Sequence, residues 1–178
     1  MTNYRRSIVQ GGSYFFTVNL ADRSLGLLTE HIDALHEAFQ CTRSRHPFTI
    51  EAIVVLPDHL HAIWSLPDGD ANFAVRWRLI KASFSRGLPA YEPVSPSRVR
   101  KAERGIWQRR YWEHAIRDEA DFTRHVDYIH FNPVKHGHAA RVSDWPYSSF
   151  HRMVRFGTLP PDWAGDSTAK STSGFGER

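Results

Sequence analysis

His59 and His61 stand two residues apart just after the apolar run Ile50–Leu56, with Leu60 between them. Successive side chains of a strand point to opposite faces, so the two histidines share one face and Leu60 takes the other. Two neutral imidazoles on one face can close on a divalent metal when the second ring nitrogen of each is held by a hydrogen bond. Taken alone, such a pair on a strand is more often two polar surface residues than a metal site. Tyr128 and Asn132 form a second pair, four residues apart, which on a helix is one turn and one face. There a phenol can attack while the asparagine carbonyl completes a metal's shell, and such an oxygen donor suits Mg²⁺ or Mn²⁺ better than a closed zinc site. The plain alternatives are a tyrosine half in the core with its hydroxyl in water, and an Asn132 that ends the helix, since the residue before Pro133 is pushed away from helical geometry.

Other histidine chemistries fail on the residues present. Ile63 and Trp64 occupy the places where a His-x-His-x-Asp-His metal motif needs its Asp and last His, and neither His-Glu-x-x-His nor a glycine-rich phosphate loop occurs. His125, His130, His136 and His138 surround Tyr128 in sequence but spread over several faces of a helix, so they cannot all be ligands. His130 reads as an outer contact to the metal or a phosphate, or as neither.

The elements that must carry these residues follow from pattern. Tyr14–Leu20 reads as a strand and Asp22–Gly26 as a turn. Apolar spacing gives a helix over Thr29–Arg45 with Thr29 placed to cap it. Phe48–Leu56 and His59–Leu66 read as antiparallel strands joined at Pro57-Asp58. Asn72–Gly87 reads as a helix, Leu88–Arg104 as an irregular basic loop, and Ile106–Ile116 as a fourth strand. A long helix over Glu119–His136 begins at Asp118 and closes before Gly137, and Trp145–Phe156 forms a further short helix. The order strand-helix-strand-strand-helix-strand-helix implies an α+β fold: a ferredoxin-like antiparallel sheet covered by helices.

A chain of 178 residues suits one domain, placed at residues 1–157, and the Ser-, Thr- and Gly-rich composition after Gly165 marks 158–178 as a flexible tail. The one cysteine, Cys41, has no partner at bridging or metal-ligand spacing and reads as a buried small apolar residue; this usage fits a reducing cytoplasm. Residues 1–10 lack the apolar core of a signal peptide, and no run is long enough to cross a bilayer, so a soluble cytoplasmic protein is expected. The net charge of +4 hides an asymmetry: ten basic residues against Glu92 and Glu103 give +8 to the segment 76–110 and leave −4 for the rest. The ten are Arg76, Arg78, Lys81, Arg86, Arg98, Arg100, Lys101, Arg104, Arg109 and Arg110. Such a segment is either a solvated face or the footprint of a polyanion, and Trp77, Phe84, Tyr91 and Trp107 among the charges favour nucleic acid with unstacked bases.

Four segments, Val55–Trp64, Trp107–His114, Tyr128–Gly137 and Trp145–Phe150, together resemble the REP-associated tyrosine transposases, in the single-tyrosine branch of the HUH endonuclease superfamily. The U is a hydrophobic residue, here Leu60, and the resemblance runs from about Arg5 to Gly157. It implies that His59 and His61 are the metal-binding pair, Asn132 the third ligand and Tyr128 the nucleophile. It implies further that the metal, Mg²⁺ or Mn²⁺, orients a scissile phosphate of single-stranded DNA beside a hairpin made by a repetitive extragenic palindrome. Attack by Tyr128 would release a 3′-hydroxyl and leave a 5′-phosphotyrosine that a second 3′-hydroxyl can reverse. The basic residues would hold the hairpin and its flanking strand, with the protein a monomer or homodimer; the sequence identifies no general base. Two rivals remain: a catalytically silent hairpin-binding regulator derived from a transposase, and an unrelated metal-dependent hydrolase with water as its nucleophile.

Overall fold

A computed structural model of the chain describes residues 8–90 and 94–164. Four strands, β1 (Ser13–Asn19), β2 (Thr49–Val55), β3 (His59–Ser65) and β4 (Trp112–Ala115), form one antiparallel sheet in the order β2-β3-β1-β4. Helices α1 (Leu27–Glu30) and α2 (Ile32–Arg45) connect β1 to β2, and α3 (Phe73–Arg86) and α4 (Pro96–Val99) connect β3 to β4. Then come α5 (Glu119–Lys135), a 3₁₀ turn at Val142–Asp144 and α6 (Phe150–Arg155). This is the expected α+β, ferredoxin-like layout.

The sheet is apolar on both faces, and the alternation of β1 and β3 sorts the residues between two cores. Tyr14, Phe16 and Val18 with Leu60, Ala62 and Trp64 face α2 and α3, where Trp64 stacks on Trp77 at 4.2 Å between ring centroids. Phe15 and Ile63 with Ala52 and Val54 of β2 face the other way and meet Tyr128 and Ile129 of α5. Leu60 thus anchors in one core while its neighbours look toward α5. The outer edge of β2 is closed from within the chain. Val55 N donates to Tyr147 O at 2.9 Å, Ser149 N to Ile53 O at 2.8 Å, and Arg152 donates to the carbonyls of Ile50 and Glu51.

Several expectations are corrected. The helix over 29–45 is broken at His31, and Thr29 spends its hydroxyl on Gly26 O within α1 rather than capping α2. Regular pairing in 106–116 is confined to Trp112–Ala115, with one isolated bridge from Trp107 to Leu20, because carbonyls of this stretch accept side-chain bonds from Lys81 and Arg98. The basic loop contains α4. Cys41 is exposed, outside the buried stripe of α2 formed by Leu35, Ala38, Phe39 and Thr42. The last helix starts only at Phe150, since Ser148 bridges to Val54 and Tyr147 O and Ser149 N are bonded to the edge of β2. Within the expected tail, Trp163 packs near Phe150 and His130; residues 165–178 lie outside the described residues.

Candidate active site on the α5 face of the sheet

α5 is positioned by its ends. Asp118 caps it by accepting from Asp121 N at 2.7 Å, satisfying a donor that the first turn leaves without a partner. At the other end Gly137, at φ 72°, reverses the chain, while His138 N donates to Pro133 O and Gly137 N to Val134 O, the pair of bonds of a Schellman closure. The helix therefore runs through Pro133 instead of stopping at Asn132. Pro133 gives up one hydrogen bond in the last full turn, where the closure compensates.

On this helix Tyr128, Asn132 and His136 fall at four-residue intervals on one stripe. The Tyr128 ring lies 5.2 Å from the His61 ring, and the His136 ring lies 5.3 Å from that of His59. The two strand histidines are 5.0 Å apart at a steep angle. With its neighbours one turn to either side opposite His61 and His59, Asn132 sits on the stripe between them, fully buried. The structure thus brings together all four residues singled out for chemistry.

Each imidazole is held through Nδ1. His59 Nδ1 is 2.7 Å from Asp58 Oδ1, and Arg23 Nε donates to Asp58 Oδ2 at 2.6 Å. A carboxylate can only accept, so His59 carries its proton on Nδ1 and turns the Nε2 lone pair inward. Burial pushes the Asp58 pKa up, but its hydrogen bonds with His59 and Arg23 prevail and hold it below the usual carboxylate range. His61 Nδ1 is 2.9 Å from Thr17 Oγ1 on β1, so an Nδ1 proton has an acceptor there and the Nε2 lone pair would be the one offered to a metal. Burial, and then the charges of His59, His136, Lys135 and Arg23, push the His61 pKa well down and keep it the neutral imidazole that a metal requires. His59 Nε2 is a buried polar atom without a hydrogen-bond partner among the described residues. Such an atom is costly unless something else binds it. Two buried imidazoles, each held from behind, and a buried amide fit a divalent cation.

Asp58, Thr17, Arg23 and His136 were not singled out by the sequence reading. Asp58 could have been, as a carboxylate adjoining a candidate ligand; the others need the strand register or the helix stripe. Lys135 was also missed: Nζ donates to Tyr128 Oη at 3.3 Å and lies 4.8 Å from the centroid of its ring, and burial lowers its pKa. His130 turns away from the site, its Nε2 3.0 Å from Ser149 Oγ; burial and the nearby Arg152 charge lower its pKa to about 4.

On the far side of Phe15, the donor atoms of His114, Asp121 and His125 lie within 4.8 Å of one another, a grouping that could hold a metal ion. Asp121 is already engaged there: His114 Nε2 is 2.7 Å from Oδ2, and Arg117 and Arg124 donate to its two oxygens. Burial raises its pKa, and the bonds with Arg117 and His114 outweigh burial and lower it. A cation there would have to displace His114 and two guanidiniums from the Asp121 carboxylate.

The basic segment divides. Arg76 is buried and spends its guanidinium on the carbonyls of His46, Asn72 and Pro47 and on Asp70, 2.6 Å away, so it is withdrawn from the surface cations. Arg98 donates to Arg104 O and Trp107 O, and Arg104 to the carbonyls of Ser85, Leu88 and Pro89; both tie down the loop. Arg109 pairs with Glu103 at 2.7 Å. Lys81 donates to Gln108 O with its pKa lowered to about 8 by burial and then by Arg98. Arg78, Arg86, Arg100, Lys101 and Arg110 are exposed. A cleft of about 650 Å³ between α3 and the loop is lined by Arg78, Arg86, Arg98, Arg104 and Arg109 with Trp107 and Tyr111. Trp77 and Phe84 are fully buried core residues and offer no face to a base, and Tyr91 lies outside the described residues. No described helix is long and apolar enough to cross a membrane.

No protein-family model matches the chain. Among individual proteins, it is 48% identical to the REP-associated tyrosine transposase of Escherichia coli K12 over 168 residues, covering 94% of each chain. A Haemophilus influenzae protein provisionally given the same description is 47% identical over 171 residues, covering 96% of this chain and 97% of that one. A solved structure of a REP-associated tyrosine transposase bound to a REP hairpin superposes with a TM-score of 0.87 at 47% identity, over 100% of this chain and 98% of that one. With likeness of this extent in both sequence and fold, the chain belongs to the REP-associated tyrosine transposases.

Proposed function

We propose that the protein cuts and rejoins single-stranded DNA beside hairpins of repetitive extragenic palindromes, with Tyr128 as nucleophile and His59, His61 and Asn132 as ligands of Mg²⁺ or Mn²⁺. The observation that carries this reading is the Tyr128 ring 5.2 Å from that of His61, beside a buried His59 whose Nε2 is left for a ligand. When bound, the cation supplies charge neutralisation at the scissile phosphate. Asp58 and Thr17 hold the imidazoles in orientation, and the α5 stripe fixes the phenol on the same side of the sheet. Tyr128 Oη attacks phosphorus and the bond to the 3′ oxygen breaks; that oxygen takes a proton, and the phenolic proton leaves to solvent. The product is a 5′-phosphotyrosine and a free 3′-hydroxyl. Because the phosphodiester is kept as an ester, a 3′-hydroxyl can return along the same path and rejoin strands.

A hairpin-binding partner is supported by the solved complex of the relative and by the basic cleft. Arg78, Arg86, Arg100, Lys101, Arg109 and Arg110 supply phosphate contacts, while Lys81, Arg98 and Arg104 shape the cleft. The test is incubation with Mn²⁺ and labelled single strands carrying palindromic hairpins, run on a denaturing gel. Wild type forms a covalent adduct, Tyr128→Phe forms none while binding the hairpin with unchanged affinity, and chelator or His59→Ala removes the adduct. Nicking by Tyr128→Phe would remove the tyrosine from its role, and hairpin binding without any adduct from wild type would favour the silent regulator.

A further inference from the structure

We infer that Lys135 is the positioning residue of the nucleophile: its ammonium holds the Tyr128 oxygen and places a positive charge at the atom where negative charge builds during attack. This rests on the reading of Tyr128 as the nucleophile. Tyr128 and Lys135 are seven residues apart, two turns along α5, and helical side chains lean toward the N-terminus, which carries the lysine back over the ring. The result is a donor 3.3 Å from Oη and a cation 4.8 Å from the ring centroid, two contacts from one side chain. Tyr128 itself is 1% exposed, so bulk water is a poor substitute for that donor. The Schellman closure at Gly137 fixes the turn from which Lys135 projects.

In the forward step the oxygen lone pair forms the bond to phosphorus, the electron pair of the broken bond stays on the 3′ oxygen, and the phenolic proton is lost. A fixed ammonium beside Oη stabilises the phenolate character of that transition state without itself exchanging a proton. In the reverse step the same oxygen is the leaving group, so the same contact assists rejoining. A neutral side chain of equal length would keep the helix and lose both effects.

The experiment measures single-turnover cleavage at saturating hairpin DNA with Mn²⁺, in parallel with hairpin affinity in the absence of metal. Lys135→Met is expected to slow cleavage about 100-fold, the usual scale for loss of one preorganised donor at a developing oxyanion, with affinity changed by less than about twofold. Lys135→Arg is expected to recover most of the rate, and methylammonium to rescue Lys135→Ala in proportion to its concentration. Should Lys135→Met melt early, Lys135→Gln, which keeps a donor and loses only the charge, carries the test with the same expected direction. A wild-type rate in Lys135→Met, or a loss of affinity equal to the loss of rate, overturns the inference. Absence of adduct from wild type overturns the nucleophile reading, and the role of Lys135 with it, which separates that failure from a Lys135 variant that cleaves normally.

Discussion

Arg76 and Arg78 are two positions apart on α3 and do opposite jobs. Arg76 is buried, with four acceptors around its guanidinium, and Arg78 is exposed beside the cleft. Arg76→Ala strands several carbonyls and the Asp70 carboxylate, and is expected to cost about 2–4 kcal/mol in denaturant unfolding. Arg78→Ala combined with Arg86→Ala is expected to leave unfolding unchanged and to flatten the salt dependence of hairpin binding, by about one unit of log–log slope for each phosphate the protein no longer neutralises. Charge is visible in a sequence, but whether a cation faces inward depends on which carbonyls the loops bring to it. The same limit explains the site. His59 and His61 are legible because their shared face follows from local alternation, and Tyr128 and Asn132 because of one helical turn. Thr17 is 44 residues from His61 and enters only through the pairing of β1 with β3. Lys135 enters only through a side chain reaching back two turns.

At the scale of elements, α5 was readable almost to the residue because both its ends carry strong signals, an Asp cap and a Gly stop. Pro133 suggested an earlier end, and the closure at Gly137 overrode it. A side-chain carbon placed on Gly137 would have no neighbour within 4 Å, so Gly137→Ala meets no clash and reports backbone strain alone. At φ 72° that substitution is expected to lower stability by about 1 kcal/mol in thermal melting, and to slow adduct formation by loosening the turn that bears Lys135 and His136. The segment 106–111 was less readable. Trp107 and Tyr111 suit a strand, but only Trp107 bridges to Leu20, and side chains from α3 and α4 take neighbouring carbonyls. Helix 29–45 failed at His31 because apolar periodicity continues across a residue whose backbone leaves helical geometry.

For the whole molecule, the sheet separates two candidate sites. The candidate active site lies on its α5 side, whereas the basic cleft is built from α3, on the other side. A substrate that engages both passes around the sheet, so substitutions in the cleft are expected to change affinity while leaving the cleavage rate at saturation intact, as a split between Kd and single-turnover rate will show. The closed edge of β2 has a consequence for the order in which the chain is made. Its hydrogen-bonding groups are taken up by residues 147–149 and by Arg152, synthesised about a hundred residues later. Until then the nascent sheet presents a bare strand edge, the kind of template on which other chains pair. A protein ending at His138 keeps every proposed catalytic residue and yet is expected to aggregate, visible as light scattering and as early elution in size-exclusion chromatography. The final stretch of the fold thereby acts as an internal chaperone for the strand laid down beside the histidines.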